Sequence, residues 1–284
     1  MIKRSSIVTL LLALVAIPLS SPAQTTTVTN GLNWLTSTQT IDGNWPGVTT
    51  EGFVATATAT DALFLLNPAS SDYSQGLQWL EDRPESPTDL LARRIITLAR
   101  SGRATMSEVA ALLSLRDSSG SWSGEDGYFN NLIDTALALQ ALQASGYNDT
   151  SIIGPSLTYL TLAQKSDGAW GFTKNGVPNT YVTALLVNTM SLFRDSYAVQ
   201  GALDKGVAYL LTKQNPDGGF GSSPSTVFET ALAVEALTAA GELDSLRTAS
   251  GLRGLGYLTV AQQSDGSWQS DPYNTALAFG GAVL

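Results

Sequence analysis

The chain has 284 residues and contains neither cysteine nor histidine, which excludes disulfides, thiol chemistry and catalytic devices built on either side chain. It carries 15 Lys and Arg against 24 Asp and Glu, a formal net charge of −9. An acidic chain is a poor match for nucleic acid or an anionic membrane surface, so we interpret the charge as a solvated acidic face.

The first residues have the pattern of a secretory signal peptide. Lys3 and Arg4 precede an apolar stretch at 7–19, and residues 21–23 (Ser-Pro-Ala) form a small-residue cleavage site. The stretch is shorter than the roughly 20 apolar residues of a membrane span, so an uncleaved anchor is the less favoured alternative. We expect residues 1–23 to be removed and the protein to be exported, to a periplasm or out of the cell, with 13 basic and 24 acidic residues and a net charge of −11.

The rest of the chain repeats a two-helix unit. Each copy has an aromatic-Leu pair in a first helix, then Gln, an Asp-Gly turn and, after one more residue, an aromatic side chain. Four good copies span 34–45, 159–170, 209–220 and 257–268, and a degenerate copy has Arg116 in the Gln position before Trp122. A Thr-Ala-Leu sequence then opens an Ala/Leu-rich second helix at Thr135, Thr183, Thr230 and Thr275. From Trp122 onward the aromatics recur at 48, 50 and 48 residues, a period typical of stacked helical hairpins.

Six units account for residues 24–284: 29–67, 73–101, 105–146, 151–194, 197–241 and 246–284. The second unit lacks the Gly-x-Trp sequence and is the weakest. The second helices are apolar nearly all round and suit a buried inner layer, whereas the first helices carry more polar residues and suit an outer one. We therefore predict an all-α protein, an α/α toroid with inner and outer rings of helices. An open superhelix of stacked hairpins is the alternative.

The Gln…Asp-Gly-x-Trp sequence followed by a Thr-Ala-Leu helix resembles the repeats of squalene/hopene cyclases and protein prenyltransferase β subunits. The resemblance covers nearly all of residues 24–284 and implies the toroid. It also implies that each Gln and its aromatic residue form a structural staple that ties the end of one outer helix to its neighbour. The pairs are Gln39/Trp45, Gln164/Trp170, Gln214/Phe220 and Gln262/Trp268.

The same resemblance shows where chemistry is missing. Cyclases of this family that begin by protonation share an Asp-x-Asp-Asp-Thr-Ala motif whose middle Asp is the acid. The matching residues 131–136 place Ile133 there, and an isoleucine cannot donate a proton. The zinc site of the prenyltransferases needs Cys and His. We expect no metal and no other cofactor, and we interpret the Asp-Gly sequences as turns rather than calcium loops.

Side chains at the start of the second helices are the candidates for function. Asp134 and Glu229 directly precede Thr-Ala-Leu and could act as a carboxylate pair in a hydrolase, or each could merely complement a helix dipole. The candidate ligand-binding residues are Tyr128, Phe129, Tyr181, Phe228, Tyr273 and Asn274. If the aromatic residues converge, they line a mouth that suits an apolar or cationic ligand. Otherwise they fill the space at the centre of the toroid.

Together these patterns predict an exported, non-catalytic toroid that binds a small molecule or another exported protein. The alternative is a terpenoid cyclase-like or carbohydrate-active enzyme that uses Asp134 and Glu229. A third interpretation, a structural module, follows from the end of the sequence at Leu284, inside an apolar helix without a cap.

Overall fold

The computed structural model describes residues 22–48, 52–123, 132–241 and 252–283, and apart from isolated bridges the regular structure in these ranges is helical. The helices alternate along the chain between two sets. The outer set is α1 (Pro22–Ser37), α3 (Ser71–Glu81), α5 (Met106–Ser114), α7 (Thr150–Leu162), α9 (Gln200–Leu211) and α11 (Leu252–Ala261). The inner set is α2 (Gly52–Leu66), α4 (Thr88–Arg100), α6 (Leu132–Ala144), α8 (Thr180–Ser191), α10 (Val227–Ala239) and α12 (Pro272–Val283).

The inner helices form a closed ring. Each contacts the next in the order α2, α4, α6, α8, α10 and α12, and α12 then contacts α2. The outer helix α1 packs on α12, and Gln262 Nε2 donates a hydrogen bond of 2.8 Å to the carbonyl oxygen of Thr27 in α1. The predicted α/α toroid is therefore confirmed, with the inner and outer rings assigned as expected, and the open superhelix is excluded.

Small side chains let the inner helices approach one another. In α6, for example, Ala136, Ala138 and Ala141 are fully buried between neighbouring helices. Such helices have no polar face to turn to water, which is why their sequence is apolar nearly all round. The helices α6 and α10 are followed by Gly146 and Gly241 at φ of +75° and +84°, as expected for a glycine after a helix C-terminus.

The predicted staples are confirmed by hydrogen bonds to a neighbouring helix for Gln39, Gln164 and Gln262, and Gln214 is bonded to Gly218 in its own turn. Gln164 Nε2 donates both to the carbonyl of Gly168 in its own turn, at 3.0 Å, and to that of Ala202 in the first turn of α9, at 2.8 Å. The indole N–H of Trp170 donates to the carbonyl of Leu160 near the end of α7, at 2.8 Å. One repeat is thereby fastened to the next through carbonyl groups at helix ends.

The Asp-Gly turns use both of their residues for local geometry. Asp167 Oδ1 accepts a hydrogen bond from the backbone N–H of Ala169. Gly168 has φ of +89°, and a Cβ there would lie 2.2 Å from the carbonyl oxygen of Lys205 in the next outer helix. Only glycine fits this position, because the conformation is left-handed and the neighbouring backbone leaves no space.

The threonine of each Thr-Ala-Leu sequence fixes the rotation of its inner helix. Thr183 Oγ1 accepts a hydrogen bond of 3.0 Å from the backbone N–H of Trp170 and donates to the carbonyl of Asn179. The equivalent bonds join Trp45 to Thr56, Trp122 to Thr135, Phe220 to Thr230 and Trp268 to Thr275. Residues two before, two after and five after this threonine lie about 140–200° round the helix from it, because each residue turns about 100°. They therefore face the axis of the ring.

Candidate functional site: the central hollow

Several of the side chains that face the axis of the inner ring are only partly buried. Tyr181, Phe228, Leu232 and Glu235 all keep intermediate exposure, although two rings of helices surround them. Asp61, on the inner helix α2, keeps 23% of its side-chain exposure. Partial exposure in such an enclosed position indicates space on the axis. We call this space the central hollow.

Aromatic side chains converge at one end of the central hollow. The ring centroids of Tyr181 and Phe228 are 5.0 Å apart, and those of Phe228 and Tyr273 are 6.0 Å apart. The half-exposed Phe172 extends the series, with its ring 6.3 Å from that of Tyr181. The sequence left open whether the residues two before Thr-Ala-Leu meet, and at these three positions they do. We call Tyr181, Phe228 and Tyr273 the aromatic row.

Burial changes the titration of both phenols in the aromatic row. It raises the pKa of Tyr181 to about 12, with the nearby charge of Arg93 acting in the opposite direction. The pKa of Tyr273 is raised by burial as well, again opposed by Arg93. Both phenols are therefore neutral hydrogen-bonding groups at physiological pH.

A ring of polar side chains lies deeper in the central hollow, five residues after the inner-helix threonine. Asn188 donates a hydrogen bond of 2.8 Å to Glu235 across the α8–α10 contact, and Gln140 donates one of 2.8 Å to Thr189. Asp61 accepts from Arg100 at 2.8 Å. Burial raises the pKa of both Asp61 and Glu235; Arg100 opposes this at Asp61, and the Asn188 hydrogen bond opposes it at Glu235.

Arg93 of α4 brings a positive charge close to both layers. It stands seven residues before Arg100, on the same face of the helix, and Arg100 pairs with the axis-facing Asp61. The charge of Arg93 acts on Tyr273, Tyr181 and Asp61. The central hollow thus combines an aromatic wall with charged and amide groups below it. That combination differs from a purely hydrocarbon-lined space.

The predicted carboxylate pair, Asp134 and Glu229, does not face the axis directly. Both residues stand one position before the threonine, a quarter turn away from the axis-facing register. Asp134 is 5% exposed and its charge acts on Tyr181. Glu229 lies in the first turn of α10, where its backbone N–H donates to Thr226 Oγ1 and its carboxylate accepts from the same hydroxyl. This is the helix-start role that the sequence offered as the alternative.

The other predicted ligand-binding residues divide into two groups. Asn274 is buried at the start of α12, where its amide donates to Gln269 at 2.9 Å and to Asp271 at 2.8 Å. Its side chain is therefore engaged in the local helix start. Tyr128 and Phe129 lie outside the described residues.

Sequence reasoning missed the polar residues of the central hollow. Four inner helices carry a polar side chain five residues after their threonine: Asp61, Gln140, Asn188 and Glu235. Gln140, Asn188 and Glu235 hold the same place after a Thr-Ala-Leu sequence and were therefore detectable, whereas Asp61 follows Thr56, which no Thr-Ala-Leu sequence marks. No such sequence signal marked Arg93, because α4 contains no Thr-Ala-Leu sequence that would set its register.

Within the described ranges no three Asp or Glu side chains lie close enough together to hold a metal ion. The same ranges contain no helix that is long and apolar enough to cross a membrane.

Known proteins share the sequence pattern of this chain. A family model described as the squalene-hopene cyclase C-terminal domain matches residues 134–282. A squalene–hopene cyclase from Bradyrhizobium diazoefficiens is 27% identical over 259 residues, which cover 89% of this chain and 31% of that protein. A drimenyl diphosphate synthase from Streptantibioticus cattleyicolor is 27% identical over 285 residues, which cover 94% of this chain and 49% of the relative. The chain thus spans a third to a half of the length of these relatives.

Solved structures share the fold over nearly the whole chain. The type II terpene cyclase MstE from Scytonema superposes with a TM-score of 0.75 at 16% identity, covering 92% of this chain and 97% of that one. An α-1,6-mannanase from Salegentibacter superposes with a TM-score of 0.66 at 10% identity, so the fold alone does not separate terpenoid from carbohydrate chemistry. Since the family model covers just over half of its residues, the chain belongs to the squalene-hopene cyclase C-terminal domain family.

Proposed function

We propose that this chain is an exported, non-catalytic binding protein that holds the apolar part of a small molecule in its central hollow, against the aromatic row. The observation that carries the proposal is the convergence of Tyr181, Phe228 and Tyr273, whose rings stand 5.0 and 6.0 Å apart at the rim of an enclosed space. Aromatic walls with a few polar groups are typical of small-molecule sites. Of the two ligand classes expected from the sequence, the Arg93 charge beside the row favours an apolar body over a cationic one.

The residue in the proton-donor register supports a non-catalytic role. Position 133, like Tyr181 and Phe228, stands two residues before the inner-helix threonine, and it holds isoleucine. A side chain without an ionisable group cannot start a reaction by protonation. The cyclase and synthase activities named for the relatives therefore do not transfer through this residue.

Native mass spectrometry of the protein purified from its own source tests the proposal. We expect a bound small molecule that is released on unfolding. Phe228→Leu removes both ring contacts of the row and should lower ligand retention, since aromatic pairs contribute about 0.5–1.5 kcal/mol beyond their burial. Tyr197→Leu removes a ring pair with Phe193 outside the central hollow and should leave retention unchanged. A consistently empty toroid overturns the proposal, and a heavier complex would instead support the second expected partner, another exported protein.

An enzyme remains the alternative, because the relatives named above are a cyclase and a synthase. Asp134→Asn and Glu229→Gln should leave ligand retention largely intact, and the unaltered chain incubated with squalene should return it unchanged. Reproducible turnover of squalene that is lost in either variant would replace the binding proposal with the catalytic one.

Export is tested separately, by determining the N-terminus of the mature protein. We expect Gln24 as the first residue. Cleavage there retains Thr27, whose carbonyl closes the ring with Gln262. A mature chain that starts at Met1 would contradict this part of the proposal.

A further inference from the structure

Two adjacent arginines of α4 differ sharply in how their guanidinium groups are used. Arg94 donates through Nε to the carbonyl of Leu80, through Nη2 to that of Glu81, and through Nη1 to the carboxylate of Glu108 at 2.5 Å. Arg93 makes no ion pair within 4 Å with any described carboxylate, and its Nε is buried without a hydrogen-bond acceptor. Because leaving a buried donor unpaired is unfavourable, Arg93 needs a different explanation from Arg94.

The acidic groups that face Arg93 do not account for it. Asp61 is paired with Arg100 at 2.8 Å. Glu235 accepts the Asn188 amide, and burial raises its pKa, so its negative charge is disfavoured. Asp89, one turn earlier on α4, is partly exposed and not within ion-pair distance of Arg93. The positive charge of Arg93 is thus not cancelled by direct pairing within the described residues.

The surroundings of Arg93 suit the polar end of an amphipathic molecule. Arg93 faces the axis in register with Arg100, and its charge acts on both phenols of the aromatic row, Tyr273 and Tyr181, which pack on either side of Phe228. The two terminal Nη groups of Arg93, which form no ion pair with a described carboxylate, present the donor fork that a carboxylate accepts in bidentate fashion. An apolar body attached to that carboxylate would lie on the aromatic row.

We infer that Arg93 is the anion-binding residue of the central hollow and that the ligand is an organic carboxylate with an apolar body. This inference rests on the proposed function and adds the chemical class of the ligand. The carboxylate pairs with Arg93, the neutral phenols of Tyr181 and Tyr273 supply further hydrogen bonds, and the body packs on the aromatic row.

Three fluorescent probes with one body and different head groups test the inference: pyrenebutyrate, pyrenebutanol and pyrenebutyl-trimethylammonium. In titrations of the full chain we expect pyrenebutyrate to bind at least about tenfold more tightly than the alcohol, as a charge-assisted bidentate pair implies. The ammonium probe should bind most weakly, because it meets the same guanidinium. Arg93→Gln should bring the affinities of the acid and the alcohol together, and Arg93→Lys should restore part of the preference.

Arg83→Gln is the matched control. Arg83 is exposed, stacks on Trp79 at 4.1 Å and donates to the Trp79 carbonyl, so the same loss of charge there should leave the preference intact. The preference for pyrenebutyrate over pyrenebutanol is measured on the unaltered chain, so this part of the test does not depend on whether any variant folds. Equal binding of acid and alcohol would refute the role of Arg93 while leaving a ligand-binding hollow, and so would a preference that survives in a folded Arg93→Gln variant. Failure of all three probes to bind would count against both the inference and the proposed function.

Discussion

Replacing Gln262 by alanine tests whether the ring is closed in solution. Gln262 Nε2 donates to the carbonyl of Thr27 in the first outer helix and to that of Gly266 in its own turn, both at 2.8 Å. A hydrogen bond contributes about 0.5–1.5 kcal/mol net, so losing both should cost about 1–3 kcal/mol. For a chain of this size that corresponds to a fall in the thermal midpoint of about 2–4 °C per kcal/mol.

Two further variants make the measurement specific. Gln164→Ala removes the same pair of bonds between two hairpins adjacent in sequence, and it should cost as much as Gln262→Ala. Gln200→Ala removes only an exposed bond to Asp204 and should cost less than about 0.5 kcal/mol. The assay is thermal and urea unfolding of each variant, followed by circular dichroism. If Gln262→Ala behaves like Gln200→Ala while Gln164→Ala is clearly destabilised, the last hairpin does not meet the first and the closed ring is refuted.

Three other expectations follow from single groups. Because burial raises the pKa of Glu235 above its ordinary 4.5, its ionised form opposes folding. Glu235→Gln should therefore raise the urea midpoint at pH 8, with the gain fading as the pH falls from the raised folded-state pKa to 4.5, and a gain that persists below pH 4.5 would contradict this. Gly168→Ala should lower the thermal midpoint, since its left-handed φ costs about 1–2 kcal/mol before the clash with the Lys205 carbonyl is counted. Gly201→Ala meets no atom within 4 Å and should stabilise by about 0.5–1 kcal/mol, so equal effects would refute the role assigned to the turn. Tyr181, with its pKa near 12, should be absent from the phenol absorbance change between pH 9 and 11; Tyr181→Phe should therefore leave that part of the curve unaltered, and folding stability should fall as pH rises from about 10 towards 12, because only the unfolded phenol ionises there.

Much of the fold could be predicted from the sequence because the same local contacts recur in several repeats. The Gln, the Asp-Gly turn and the aromatic residue act within one repeat and on the next, so a fixed spacing such as 159–170 and 209–220 carries them. The axis-facing position two residues before the threonine could be predicted for the same reason, since Tyr181 and Phe228 hold the same place relative to Thr183 and Thr230.

The contents of the central hollow were harder to predict because they depend on which helices meet across the ring. Whether the charge of Arg93 acts on Tyr273 depends on the closure of the ring, which brings together helices far apart in sequence. A shift of one residue matters equally: Asp134 and Glu229 stand next to axis-facing positions, yet a rotation of about 100° turns Glu229 towards its own helix start.

The ring closes through a bond between residues 235 apart, whereas Gln39 and Gln164 reach carbonyls only 33 and 38 residues further on. Hairpins adjacent in sequence can therefore assemble while the polypeptide is still being synthesised. The first hairpin cannot pack against the last one until the last has been made. During that interval the side of α1 that will receive α12, with Val28, Leu32 and Leu35, has no partner. Until α12 has been synthesised this apolar strip of α1 is uncovered, and a chaperone has most to protect there.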